Sequence, residues 1–328
     1  MKKFIKGKMV NLAESRLGSK VIFKTDDFFA SADRILKTEN PIFKEGLFDK
    51  HGKWMDGWET RRRRNKGFDY LIIKLGKSGK IFNVDLDTTY FSGNQPTHAS
   101  LQACFSRNKP NKKTKWITIL NKKKLGPNKN HNFSTNSKFT FNYIKLNIFP
   151  DGGIARIRLY GKIDMEKVNI KEKMINLSSV LNGASIIGCN NEHFGRAENV
   201  IAPGKGKNMG DGWETRRSRG KNFDWLIIKF GRVGIINKLE IDTHHFKGNY
   251  PDSCTIQTAS ILKNVSNSFI VRSSARWKVI LNKAKLKANK KHVFKNIQIN
   301  KNKVNLLKIN IYPDGGISRI RAFGKFTK

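Results

Sequence analysis

Cysteine is scarce. The three thiols, Cys104, Cys189 and Cys254, are odd in number and widely spaced, and no C-x-x-C occurs. That pattern excludes a disulfide framework and a sequence-local zinc site, and points to a reducing compartment. Acidic side chains are few as well: 25 Asp and Glu face 65 Lys and Arg, a net charge of +40. No apolar run approaches the ~18 residues of a membrane-spanning helix. The opening M-K-K-F-I-K-G-K-M-V lacks the unbroken apolar stretch of a secretory signal. A soluble, cytoplasmic protein with no membrane partner is expected. H-E-x-x-H, a nucleophile elbow and zinc-ligand spacings are all missing. G-K-G-K-N-M-G at 204–210 lacks the G-K-[S/T] ending of a phosphate loop.

The charge has two readings. A field of this size attracts polyanions. Yet the excess sits in Lys/Asn-rich stretches such as 109–115, 121–124 and 288–292, which read as loops between strands. No RNA-recognition signature or basic heptad helix accompanies them. The surface is therefore read as solvated, with no nucleic-acid partner expected, and a small anionic substrate would be steered by it.

What the chain does contain, it contains twice. D-G-W-E-T-R-R-R-R from Asp56 returns as D-G-W-E-T-R-R-S-R from Asp211, 155 residues later. F-D-Y-L-I-I-K-L-G (Phe68) and D-T-T-Y-F-S-G-N-Q-P (Asp87) return at the same spacing, from Phe223 and Asp242. W-I-T-I-L-N (Trp116) matches W-K-V-I-L-N (Trp277), and P-D-G-G-I-A-R-I-R-L-Y-G (Pro150) matches P-D-G-G-I-S-R-I-R-A-F-G (Pro313). Five blocks in one order establish a duplication, with insertions in the loops between them. The expected division is a first repeat over 1–161, a charged linker over 162–176 with room for a short helix, and a second repeat over 177–328.

Alternation dominates each repeat. Phe82, Val84 and Leu86 alternate with Asn83, Asp85 and Asp87; Ile144, Leu146 and Ile148 alternate with polar neighbours, and the second copy repeats both. Period two marks half-buried strands. L-I-I-K-L and L-I-I-K-F suit the centre of a sandwich. Turns are expected at 76–79, 92–94, 150–153 and 313–316. The fold class is all-β: two tandem jelly-roll β-sandwiches.

Three clusters are candidates for chemistry. If D-G-W-E-T-R-R is extended, Trp58, Thr60, Arg62 and Arg64 share one face and Glu59, Arg61 and Arg63 the other, with Trp213, Thr215, Arg217 and Arg219 against Glu214 and Arg216 in the second copy. Arginine grips a carboxylate through two parallel hydrogen bonds, which lysine cannot; the alternative is a structural Glu–Arg pair under a tryptophan. After the P-D-G-G turn, Arg156 and Arg158, and likewise Arg319 and Arg321, fall on one face as an anion-site candidate. In D-T-x-x-F-x-G-N the copies differ: Thr89 and Tyr90 against His244 and His245. Histidine carries protons near neutral pH, while Asp87 and Asp242 are either bases or turn formers.

These repeated motifs, spanning most of both halves, resemble the allantoicase (allantoate amidinohydrolase) family. The resemblance implies two galactose-binding-like jelly rolls and hydrolysis of allantoate to ureidoglycolate and urea in purine catabolism. Set against that chemistry, carboxylate binding is assigned to Arg61, Arg62, Arg156, Arg158, Arg216, Arg217, Arg319 and Arg321. Proton transfer is assigned to Glu59 or Glu214, with His244 or His245 as the competing choice. No cofactor or metal is assigned, and a homo-oligomer is compatible with the reading. The alternative function is a non-catalytic ligand- or carbohydrate-binding jelly roll.

Overall fold

A computed structural model describes residues 4–135, 137–167, 174–218, 222–295 and 302–327. Two compact units form, Met9–Lys167 and a second comprising Met1–Lys8 with Val168–Lys328. The first eight residues thus belong to the second unit, where Ile5–Lys6 pairs with the edge strand Ser185–Cys189. No repeat signal marks that segment. Of the 162–176 stretch, Met165–Lys167 is a short 3-10 turn and Ile175–Asn176 a strand; 168–173 lies outside the described residues.

Each unit is organised by one long strand, Asp69–Asp87 in the first and Asp224–Asp242 in the second. The first part of Asp69–Asp87 pairs with Phe141–Phe149 and Lys20–Lys24. Its second part pairs with Arg156–Ile163 and Asn130–Ser134. A single strand therefore serves both layers of the sandwich. His98–Cys104 and Ile117–Lys124 complete the first layer. The second unit repeats the plan with Val304–Tyr312, Arg319–Phe326, Ser253–Ala259 and Lys278–Lys285. The all-β, doubled sandwich is as expected; Asn267–Ser273 is the one α-helix among the described residues.

Two local expectations need correction. The Gly76–Gly79 segment is not a turn, because the strand bends there without ending. A Cβ on Gly76 would meet the Leu17 carbonyl oxygen at 1.9 Å, and one on Gly79 the Lys162 oxygen at 2.4 Å. Glycine is thus required where other backbones close over the bend. Phe82 does not share the inward face of Val84 and Leu86. A bulge between the partners Tyr160 and Gly161 shifts the register, so Ile81 is buried and Phe82 is not. One extra residue changes the phase of the alternation.

The fold also claims two residues expected at an anion site. Ile157 faces the core, but Arg156 beside it is fully buried as well. Its Nε donates to the Glu39 carbonyl at 2.9 Å, and its terminal nitrogens donate to the backbone oxygens of Asp56, Ala155 and Asn40. It also pairs with the Asp56 carboxylate at 2.5 Å. Arg319 does the same in the second unit, bonding the carbonyls of Gly204, Lys205, Asp211 and Ser318 and the Asp211 carboxylate at 2.8 Å. Burial pushes Asp56 up, but its bonds to Lys37 and Arg156 hold it below the ordinary aspartate value. Stability from that group is present above the unfolded aspartate pKa and lost as pH falls through the lowered folded value. Arg156→Ala, which strands a buried carboxylate, is expected to cost the first unit about 3–5 kcal/mol in urea denaturation; an unchanged midpoint would contradict the scaffold role.

Candidate active site

The D-G-W-E-T strip is extended for only two residues. Trp58–Glu59 pairs with Gly153–Ile154, and Trp213–Glu214 with Gly316–Ile317. The predicted alternation holds through residue 60: Trp58 and Thr60 are buried and Glu59 is half-buried. It fails beyond, where the strand ends and Arg61 and Arg62 are both exposed. The tryptophans act as anchors. Trp58 Nε1 donates to the Asp26 carbonyl at 2.8 Å, and Trp213 Nε1 to that of Asn191 at 2.7 Å. Opposite, Gly152 and Gly315 donate their N–H groups to Thr60 Oγ1 and Thr215 Oγ1, each at 3.1 Å. The P-D-G-G segment is therefore no hairpin turn. It is a corner that leaves Phe141–Phe149, pairs briefly with the glutamate strand, and enters the other layer.

This corner also fixes a residue that the sequence reading left unassigned. Gly153 N–H donates to the Asn94 carbonyl at 2.7 Å, and Asn94 Nδ2 donates to Glu59 Oε1 at 2.7 Å. The second unit repeats this: Gly316 N–H bonds the Asn249 carbonyl, and Asn249 Nδ2 donates to Glu214 Oε1. A Cβ on Gly152, whose φ is +128°, would lie 2.7 Å from the Asn94 oxygen, so only glycine permits the approach. The signal was the asparagine that closes D-T-x-x-F-x-G-N in both copies. Burial raises the Glu59 carboxyl above its usual value, with the Asn94 bond opposing.

The arginines divide by what already occupies them. Arg61 is a fork on Asp26, with Nε at 3.2 Å and a terminal nitrogen at 3.0 Å from Oδ1, and lies 5.1 Å over the Phe28 ring. Asn191 replaces Asp26 in the second unit, and its side-chain oxygen accepts the backbone N–H of Arg216 at 3.2 Å. Arg63 bonds Asp69 at 2.8 Å. Arg158 sits between Asp85 and Asp87 at 3.5 and 3.3 Å, and Arg321 donates to the Gly204 carbonyl. Arg62 and Arg217 are exposed, and neither makes a side-chain bond to a described residue. Arg219 lies outside the described residues.

Asp87 accepts from Thr89 N–H and Oγ1, and Asp242 from His244 N–H, so both carboxylates form the following turn. The rings of His244 and His245 are 4.1 Å apart, and His245 Nε2 is 2.9 Å from the Gly206 carbonyl. Neither ring is hydrogen-bonded to Glu214. Among the described residues, no group of three or more His, Cys, Asp or Glu side chains is arranged to hold a metal ion.

Each unit matches a known pattern. A family model described as the allantoicase repeat covers residues 10–164 and again 175–327. A probable allantoicase of Acinetobacter baumannii is 47% identical over 318 residues, 97% of this chain and 94% of that protein. One from Pseudomonas fluorescens is 44% identical over 324 residues, 98% and 97% of the two chains. The crystal structure of allantoicase from Saccharomyces cerevisiae superimposes with a TM-score of 0.81 at 34% identity, covering 98% of this chain and 94% of that one. The chain belongs to the allantoicase family.

Proposed function

We propose that this chain hydrolyses allantoate to ureidoglycolate and urea, with Glu59 and Glu214 as the proton-transfer groups and Arg62 and Arg217 as the carboxylate anchors. Allantoate carries one carboxylate and two ureido groups on a single carbon. Water must add to that carbon while one C–N bond breaks, and the departing nitrogen must receive a proton. A protonated glutamate gives that proton to the leaving urea. The resulting carboxylate then takes one from the attacking water, so the charge balances over the cycle. The observation that carries this reading is the glutamate itself. In both units it is half-buried, clasped by an asparagine, and three residues from an arginine that makes no side-chain bond to a described residue.

Arg156 and Arg319 take no part in this scheme, because their donors are committed to the protein, and Arg158 is committed to Asp85 and Asp87. His245, bonded to Gly206, is assigned to holding the 204–206 loop rather than to proton transfer. The substrate is a small anion. No described helix is long and apolar enough to cross a membrane.

Urea release from allantoate tests the assignment. Glu59→Gln with Glu214→Gln is expected to lower kcat by about 10²–10⁴-fold; wild-type rates in both single variants and the double variant would end it. Arg62→Ala and Arg217→Ala are expected to raise KM about tenfold, the loss of one charge-assisted contact. Because folded Glu59 holds its proton more tightly than the usual 4.5, its stabilising effect is full below the unfolded pKa and disappears as pH rises through the folded one. Glu59→Gln should therefore raise the melting temperature at neutral pH while lowering kcat, and equal or lower melting temperatures would contradict the buried-acid account.

A further inference from the structure

The arginine motif differs between the units at a single position: Arg63 in the first is Ser218 in the second. In the first unit Arg63 joins two carboxylates. Its backbone N–H donates to Asp151 at 2.7 Å, and its guanidinium donates to Asp69 Oδ1 at 2.8 Å. The Arg63 side chain is 32% exposed, whereas that of Asp69 is 3% exposed. The guanidinium therefore meets a buried carboxylate from the solvent side. Thr25 Oγ1 donates to the same Asp69 oxygen at 2.8 Å.

The second unit keeps both carboxylates and loses that cation. Asp224 stands in the place of Asp69 and Asp314 in that of Asp151, and Ser218 N–H still donates to Asp314, at 2.6 Å. Asp224 is buried, 7% exposed. One of its oxygens, Oδ1, accepts from Asn190 Nδ2 at 2.7 Å. The other, Oδ2, is buried and meets no donor among the described residues. A buried carboxylate oxygen without a donor is costly and rare in folded proteins. Burial raises the Asp224 carboxyl above its usual value; the Thr215 hydroxyl and the Asn190 amide oppose the rise, and the Asp314 carboxylate adds to it.

The orphaned oxygen belongs to the neighbourhood of the candidate site. Thr215, beside Asp224, directly follows Glu214, and the corner that carries Asp314 pairs with the glutamate strand. Arg217, the carboxylate anchor, directly precedes Ser218. The first unit fills the equivalent place with a guanidinium, a planar group of N–H donors. A ureido group is planar too and presents N–H donors in the same way. We propose that Asp224 Oδ2 receives a ureido N–H of the substrate in the second unit, where the first unit holds Arg63 instead, so that the two units bind ureido compounds unequally. The inference rests on the allantoate reading above. One charge-assisted hydrogen bond of this kind strengthens binding about tenfold. It also accounts for the serine, since an arginine at 218 would take the acceptor before any ligand could.

Isothermal titration calorimetry of the full chain with N-carbamoylglycine, which carries one carboxylate and one ureido group on a single carbon, tests this without turnover. The wild type is expected to show two classes of site differing in affinity by about tenfold. Ser218→Arg, which copies the first unit, should leave only the weak class while melting no lower than the wild type. Asp224→Asn, which keeps the shape and removes the charge, should also weaken the tight class. Equal sites in the wild type, or no binding at all, would overturn the proposal. So would Ser218→Arg and Asp224→Asn proteins that fold and keep the tight class. Failure of the hydrolytic reading would show separately, as allantoate that yields no urea.

Discussion

In each unit the candidate site rests on one buried guanidinium. An arginine taken wholly out of water is costly unless every donor is met and a carboxylate balances its charge. Arg156 and Arg319 satisfy both conditions, and the bonds that do so join three separated segments. One end is the strand of the second layer. Another is the loop at 39–40 or 204–205. The third is the aspartate that opens D-G-W-E-T. Glu59 lies three residues beyond Asp56, and Glu214 three beyond Asp211. The ion pair therefore sets where the glutamate strand starts, the tryptophan ties it to the backbone at residue 26 or 191, and the glycine corner brings the asparagine onto the carboxylate.

On that common frame the two units carry different side chains. Thr89 and Tyr90 stand where His244 and His245 stand, Phe28 where His193 stands, and Asp26 where Asn191 stands. The backbone is nevertheless kept. Tyr90 has φ +69° and His245 +73°, a conformation rare for bulky residues, and each donates its N–H to an asparagine, Asn128 or Asn289. A strained geometry repeated with different side chains means the turn shape is what both units need. Its product is the placement of Asn94 and Asn249 four residues on. The difference at Asp26 and Asn191 has a direct effect: it engages the guanidinium of Arg61 and leaves that of Arg216 without the same clamp.

The architecture was legible because it depends on period and repetition. Val84 and Leu86, or Ile144, Leu146 and Ile148, alternate in sequence and are inward in space. The repeat located the glutamate strand, the corner and the turn that meet at the site. What could not be read was contact between distant segments. Arg156 and Arg62 are both arginines of repeated motifs, and nothing local distinguishes them. Only the fold reveals that one faces Asp56 and the other faces solvent. The same limit concealed Asn94, whose bond to Glu59 spans 35 residues, and the bulge that turned Phe82 away from the core. Gly76 and Gly79 show a related limit. Glycine signals a turn by its own flexibility, but here it signals the approach of another backbone.

The central claim is that the asparagine-clasped glutamate and the exposed arginine three residues on mark where substrate reacts. A crystal structure of the Glu59→Gln, Glu214→Gln protein soaked with allantoate tests it most directly. The account predicts the substrate carboxylate on Arg62 or Arg217, with a ureido nitrogen within hydrogen-bond distance of the residue 59 or 214 carboxamide. Allantoate bound elsewhere, with both glutamine sites empty, would contradict it.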